Sequence, residues 1–346
     1  MKKYTTKIIE VPEEYQELVS SFSNYHLAQS ALWFKTLKQN DPSTSAYVLF
    51  RQKEPLFLAR VASQAVLRYF RAIVAPFGPL VNLEAEPTAD ELSEFIERIK
   101  FELSLPRVAL IHLDPFSFDA KEQRKLSKLL ESCTMLKRGR PLFYRHGDGT
   151  IQYDTSKSPE EILLPEFRKG TRHDLRRAIK KGALKIVHTS KPQAFDTFWK
   201  LYLASQKRLH FCDTRKTLYK TLLENGDAEV FLALSKTTGK ALAGAFEILF
   251  KEQNTVISLL SATTKQGNSL LAPTLLRWHI FNWAHENGFK SVDLFSIRKS
   301  LKGHTFFKTG LGGKQIWYAN PYEYAANRTA YPIYRLLHGL RTGHQQ

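Results

Sequence analysis

Three apolar runs in the first half of the chain, 45–51 (SAYVLFR), 55–63 (PLFLARVAS) and 66–78 (VLRYFRAIVAPFG), are short and rich in β-branched and aromatic residues. Turn-forming residues bound them, so they predict strands. Segments 12–22 (PEEYQELVSSF) and 30–40 (SALWFKTLKQN) place their apolar residues at helical spacing ahead of these strands. Behind them, 88–103 (TADELSEFIERIKFEL) predicts a helix opened by a capping box, Thr88 with Glu91 three residues on. The mostly apolar 107–115 (RVALIHLDP) then reads as a strand buried on both faces.

The second half repeats the order. Segments 195–209 and 214–225 predict helices, and 229–235, 241–250 and 255–263 predict strands. The stretch 272–288 (APTLLRWHIFNWAHENG) is a helix with Pro273 near its start and Gly288 past its end, and 290–296 (KSVDLFS) closes the half as a strand. Each half therefore reads helices–β–β–β–α–β. A hairpin-rich sheet that ends in a crossover helix brings the last strand parallel to the one before the helix. The expected fold class is α/β (α+β): two tandem domains like the acyl-CoA N-acyltransferase (GNAT) fold, with mixed sheets. The first is placed at 1–155 and the second at 156–315, with 316–346 packing back on the first.

Composition narrows the function. The 346 residues hold 51 Lys+Arg against 33 Asp+Glu, a formal net charge of +18. That excess favours polyanionic partners such as nucleic acid, nucleotide phosphates or an anionic membrane surface. Two cysteines, Cys133 and Cys212, make neither a disulfide framework nor a metal site. The 11 histidines show no ligand pattern, so no catalytic metal is expected. The start, MKKYTTKIIEVPEEYQ, lacks the apolar run of a secretory signal. No stretch approaches the roughly 18 apolar residues needed to span a bilayer.

Four stretches could carry chemistry. A GNAT enzyme seats the acyl-CoA pyrophosphate on backbone N–H groups of a glycine-rich turn at a helix start. The equivalent stretch here, 266–273 (QGNSLLAP), has one glycine and a proline that removes a donor, a poor cradle. Residues 168–185 form a basic helix. Lys169, Arg172, Arg176 and Lys180 lie on one face, Arg168, Arg177, Lys181 and Lys185 add charge, and Phe167, Leu175, Ala178 and Ile179 supply an apolar side. Such a run is either a solvated face or a phosphate and RNA contact. Asp114 ends the 107–115 strand; a carboxylate there either starts a turn with Pro115 or accepts a proton from an amine nucleophile. Lys308 follows Phe306 and Phe307 just ahead of Gly310-Leu311-Gly312-Gly313, which precedes the strand-like KQIWYAN and is no dinucleotide loop.

Six pieces in order, 26–40, 75–82 (APFGPLVN), 111–116 (IHLDPF), 167–187, 272–295 and 306–318 (FFKTGLGGKQIWY), resemble the Fem family (FemABX) over roughly residues 20–325. These are non-ribosomal peptidyltransferases that build peptidoglycan cross-bridges. The resemblance implies two GNAT-like domains, without the helical arm some members insert. It implies transfer of an amino acid from aminoacyl-tRNA, as co-substrate and with no cofactor, to an amine on the stem peptide of a lipid-linked or nucleotide-linked peptidoglycan precursor. The implied place of action is the cytoplasm, with peripheral contact at the inner membrane face left open. By motif, Lys35, Arg215 and Tyr219 match residues at the precursor's phosphates. Lys308 matches the lysine that stabilises the reaction's negative charge, beside Phe307, and Asp114 matches a proposed base. Arg168, Arg172, Arg176, Arg177 and Lys180 are the expected tRNA or phosphate contacts. Leu259 and Leu260 replace the family's aromatic residues, and Ser296-Ile297-Arg298 replace its glycines after VDLF. Two rivals remain: a GNAT-type N-acyltransferase using acyl-CoA on a cell-surface precursor, and a non-catalytic RNA-binding module.

Overall fold

The computed structural model of the chain describes residues 4–23, 25–67, 70–102, 108–139, 147–298 and 302–343. In chain order its elements begin β1 (Tyr4–Ile9), α1 (Pro12–Val19), α2 (Ala31–Asn40), β2 (Ala46–Arg51), β3 (Glu54–Arg60), β4 (Ala62–Leu67), β5 (Phe70–Ala75), β6 (Leu80–Val81), α3 (Ala89–Glu102), β7 (Val108–Leu113), α4 (Ala120–Ser132) and β8 (Leu136–Arg138). They continue β9 (Gly149–Asp154), α5 (Leu163–Glu166), α6 (Lys169–Lys181), β10 (Leu184–Thr189), α7 (Pro192–Leu209), α8 (Lys216–Glu224), β11 (Ala228–Ser235), β12 (Ala241–Phe250), β13 (Thr255–Thr263), α9 (Lys265–Ser269), α10 (Ala272–Glu286) and β14 (Ser291–Asp293). They close with α11 (Lys302–Thr309), β15 (Lys314–Trp317), β16 (Tyr322–Tyr324) and α12 (Ala330–Gly343). Two compact units result, one of residues 1–146 with 318–346 and one of 147–317.

In the first unit the described strands form two sheets, ordered β1-β2-β3-β6 and β4-β5-β7-β16-β8. The chain runs from β5 through β6 and helix α3 to β7, which pairs with β5 in parallel; the other pairs are antiparallel. The capping box forms as its spacing predicts: the Thr88 N–H donates to Glu91 Oε2 at 2.9 Å and the Glu91 N–H to Thr88 Oγ1 at 3.3 Å. Leu92, Phe95, Ile96 and Ile99 of α3 then pack on Leu49, Phe57, Ile73 and Ile111 of the strands. Two sequence expectations need correction. The run 55–63 breaks at Val61, so β3 and β4 belong to different sheets. The run 66–78 is not one strand: residues 66–67 end β4 and 70–75 form β5, its antiparallel partner. Apolar content cannot mark such breaks, because both strands of the pair are apolar.

The second unit holds a seven-stranded sheet, β10-β11-β12-β13-β14-β9-β15. Here too, among the described strands, only the pair flanking the crossover helix, β13 with β14, is parallel. The crossover helix α10 buries Leu275, Leu276, Ile280, Phe281 and Ala284 against the sheet and α6. α6 contributes Leu175 and Ala178 to this core and ends at Gly182, whose φ of +58° suits a residue without Cβ. Ile179, expected on the apolar side, is exposed, and Lys185 lies on β10 beyond the helix. The predicted strand 290–296 stops at Asp293, because the ladder with β13 covers only Thr255–Ile257. Beyond that point β13 runs on to Thr263 while the chain after β14 bonds to β9 instead, through the Leu294 N–H to the Ile151 carbonyl at 3.0 Å.

Candidate active site

Lys308 sits on α11, a short helix just before the glycine turn. Gly312 and Gly313 have φ of +74° and +81°, and a Cβ on Gly312 would stand 2.6 Å from Glu166 Cβ. Glycine is therefore required where the chain turns from α11 into β15. The turn buries Leu311 completely and so seats the helix. The Tyr153 hydroxyl donates to the Lys308 carbonyl at 2.6 Å, and Arg168 donates to the Phe306 carbonyl at 3.0 Å. The helix end is thus tied down from β9 and from the start of α6.

The Lys308 amine donates to two carbonyls, Leu294 and, at 2.6 Å, Ser296. Both lie just past β14, where the sheet parts from β13. Burial pushes the Lys308 pKa down to about 7, and the neighbouring Arg277 cation adds to this against the pull of Asp293 and Glu247. Arg277 of α10 bonds Glu247 of β12 at 2.7 Å and Ser258 of β13 at 2.5 Å, all buried. Asp293 accepts from the Thr150 hydroxyl and, at 2.6 Å, from the Phe295 N–H. Burial raises its carboxyl to about 6, although those two bonds and Lys308 oppose the rise. The unit thus contains a buried cluster of ionisable groups beside the part-buried Lys308, whose amine is held by two carbonyls. Such an amine can serve as a cation or, above neutral pH, as a base.

A second cluster surrounds Arg215, which caps α8. Its Nε and Nη2 form a two-pronged pair with Asp213 at 2.9 and 2.8 Å. The Tyr219 hydroxyl donates to the same carboxylate at 2.5 Å and Tyr202 approaches at 3.4 Å. Burial raises the Asp213 carboxyl, but the bonds from Arg215 and Tyr219 outweigh this and hold it below its ordinary value. The predicted pair Arg215 and Tyr219 is therefore brought together, around an aspartate the sequence reading passed over. One edge of the guanidinium is committed to Asp213, which fixes the plane of the other.

Phe307 packs against the core of this unit, one residue from Lys308. Arg168 lies over the Phe306 ring at 3.6 Å, and Arg172 donates to the carbonyls of Pro165 and Phe167 at 2.8 Å each. These two arginines bind their own chain, whereas Arg176, Arg177 and Lys180 are exposed along α6. Lys35 and Asp114 belong to the first unit: Lys35 is exposed on α2, and Asp114 is fully buried just past β7. Sequence reasoning missed Asp293, Arg277, Glu247 and Tyr153. Asp293 had a signal, since it closes the strand after a crossover helix much as Asp114 follows its own.

The stretch 266–273, read from the sequence as a poor pyrophosphate cradle, spans α9 and the start of α10. Three of its amides are in use: Gly267 donates to Thr264 Oγ1 at 2.9 Å, Asn268 to the Thr264 carbonyl at 3.0 Å and Leu270 to the Gln266 carbonyl at 3.1 Å. Pro273 offers no N–H, and Leu271, with φ of +61°, caps α10 without a side-chain bond. Among the described residues no three His, Cys, Asp or Glu side chains are grouped to hold a metal ion, and no helix is long and apolar enough to cross a membrane.

Residues 165–309 match the GNAT acetyltransferase domain family. The crystal structure of FemX superposes with a TM-score of 0.74 at 17% identity, covering 94% of this chain and 99% of that one. The fold is Fem-like. A tandem GNAT protein from the clavulanic acid biosynthesis pathway follows the same Fem-like plan, at a TM-score of 0.57, 8% identity and 94% and 99% coverage. So does the C-terminal domain of a putative lysylphosphatidylglycerol synthetase from Agrobacterium fabrum, at 0.53, 12% identity and 94% and 96% coverage. No curated protein matches the sequence. The chain thus has the fold of two tandem GNAT-like domains, and the GNAT acetyltransferase domain match lies in the second.

Proposed function

We propose that the chain is an aminoacyltransferase that moves an amino acid from aminoacyl-tRNA to an amine of a peptidoglycan-precursor stem peptide. The observation that carries this reading is the Lys308 amine, held by two carbonyls where β13 and β14 part. An aminoacyl ester needs no protein nucleophile. The acceptor amine attacks the ester carbonyl carbon, the C–N bond forms, and the tetrahedral centre carries an oxyanion. That centre collapses with loss of the ribose hydroxyl, which takes up the proton given up by the amine. Two N–H bonds of the Lys308 ammonium are spent on carbonyls, so the third is left for the oxyanion. A donor so fixed supplies about 3–4 kcal/mol of transition-state stabilisation.

Two further observations favour RNA over a thioester donor. The amides of Gly267, Asn268 and Leu270 are consumed within the chain, which leaves this stretch fewer donors for a pyrophosphate. Arg176, Arg177 and Lys180 stand exposed on a helix of a chain with net charge +18. Arg215, with one edge pinned by Asp213, suits a phosphate of the acceptor. The family match at 165–309 supports a second reading, an N-acyltransferase using acyl-CoA.

The deciding experiment incubates the protein with pools of charged tRNA, or separately with acyl-CoA, and with lipid-linked and nucleotide-linked precursors. Product mass is then measured. The first reading expects a gain of one or more amino acid residues with charged tRNA alone. An acyl gain with the thioester alone overturns it in favour of the second.

A further inference from the structure

The three residues past β14 are not ordinary strand. The Ser296 N–H donates to the Leu294 carbonyl at 2.8 Å, closing a three-residue turn around Phe295. Phe295 has φ of +63°. This is the rare, strained hand of the γ-turn, and a bulky residue enters the positive-φ region only when its surroundings enforce it. The flanks are pinned, with Leu294 N–H on the Ile151 carbonyl and Ile297 N–H on the Gly149 carbonyl at 2.8 Å. The centre is pinned by Asp293, whose Oδ1 takes the Phe295 N–H at 2.6 Å. A carboxylate accepting the amide two residues on is a local bond that aspartate is suited to make. The Thr150 hydroxyl holds the same oxygen from β9. The product of this turn is that Leu294 and Ser296, one residue apart on each side of Phe295, both direct their carbonyls at one amine.

We propose that Asp293 is a positioning residue for Lys308: its carboxylate locks Phe295 in the left-handed conformation that aims the Leu294 and Ser296 carbonyls at the Lys308 amine. The strain is local, and the cradle it builds is what fixes the third N–H of the ammonium. This rests on the role of Lys308 given above. The alternative is that Asp293 serves only as a counter-charge, one of the charged groups around that amine with Glu247 on β12 and Arg277 on α10.

Glycine separates the two, because it takes φ near +63° without help. The variants are D293A, D293N, F295G and D293A/F295G. Amide hydrogen exchange at residue 295 and the steady-state constants of transfer are measured for each. D293A is expected to speed exchange at Phe295 by ~10-fold or more and to lower kcat by ~10–100-fold with KM for both substrates little changed. D293N keeps an acceptor oxygen and falls between wild type and D293A in both. D293A/F295G regains at least half of the lost kcat on a logarithmic scale. Unchanged exchange in D293A, or a double variant no faster than D293A, overturns the proposal. If D293A does not fold, D293N with and without F295G gives the same comparison. If no donor supports transfer, the functional reading fails by itself, and the exchange data still decide whether Asp293 holds the turn.

Discussion

The two units share one construction and use their buried charge differently. In the first, β6 and α3 link β5 to the parallel β7; in the second, α10 links β13 to the parallel β14. The first unit buries Glu323 on β16, which accepts from the Tyr331 hydroxyl at 2.9 Å and from Arg335 at 3.1 Å, with His112 Nδ1 at 3.6 Å. Every one of these contacts ties α12 or β7 to β16, so this cluster anchors the chain's last helix to its sheet. In the second unit the comparable cluster ends in Lys308, which has carbonyls for partners and a pKa brought down to about 7. A scaffold written twice thus spends its buried charge once on anchoring and once on keeping an amine poised.

The largest effect expected is on Lys308→Met. Turnover should fall by ~10²–10³-fold, the scale of a lost oxyanion donor. Stability should not fall with it. A lysine whose folded pKa lies below its unfolded value is penalised in the protonated form, so wild-type stability rises as pH climbs from about 7 toward 10.5. Methionine removes that penalty, and at pH 6 the thermal midpoint of the variant should match or exceed the wild type. A large drop would move Lys308 into the same class as Glu323. The converse substitution, Glu323→Ala, removes the buried partner of Tyr331, His112 and the half-buried Arg335 and should cost the first unit ~3 kcal/mol, read as a lowered denaturation midpoint.

The contrast can be sharpened by pH. If Lys308 acts as a cation, it is active below its folded pKa, so the rate should fall about tenfold per unit as pH rises beyond about 7. Lys308→Arg stays protonated, so its lower rate should lose that alkaline limb. A rate that climbs through pH 7 and levels off would instead make Lys308 a base.

The sequence showed the shared construction more readily than the difference. Strand–helix–strand steps are local signals, carried by apolar runs, the Thr88–Glu91 box and Pro273 with Gly288. The pairing of Arg215 and Tyr219 was also legible, from the family motif and because four residues make one helical turn, although the Asp213 that joins them was not. The Lys308 cluster was not. Its members come from β9, β12, β13, β14, α10 and α11, and no window of the chain holds more than two of them. α11 escaped because KGHTFFKT is only two turns long and carries a helix-weakening glycine. The turn at 294–296 escaped because VDLFS reads as strand until Asp293 captures the Phe295 amide. Nor does spacing reveal that Arg168 and Arg172 bind their own backbone rather than face outward.

The smallest effect tests the crossover helices themselves. α3 starts in a complete capping box that Arg51 completes from outside, at 2.7 Å to Glu91 Oε1, whereas α10 starts on Leu271 with no side-chain cap. Thr88→Ala should therefore cost the first unit ~1 kcal/mol at neutral pH. Glu91 gives the loss a pH signature. Burial raises its carboxyl, but Arg51 and the Thr88 amide outweigh this and bring it down to about 2. A carboxylate with a depressed folded pKa stabilises the fold above its unfolded value, and that contribution drains away as pH falls toward 2. Because Thr88→Ala removes only the hydroxyl and keeps the amide and Arg51, its cost should persist with similar size from pH 7 to pH 5. Only below that should the two proteins lose stability together. A cost that vanished already at pH 5 would mean that the box holds α3 through the charge of Glu91 alone, and not through its paired bonds.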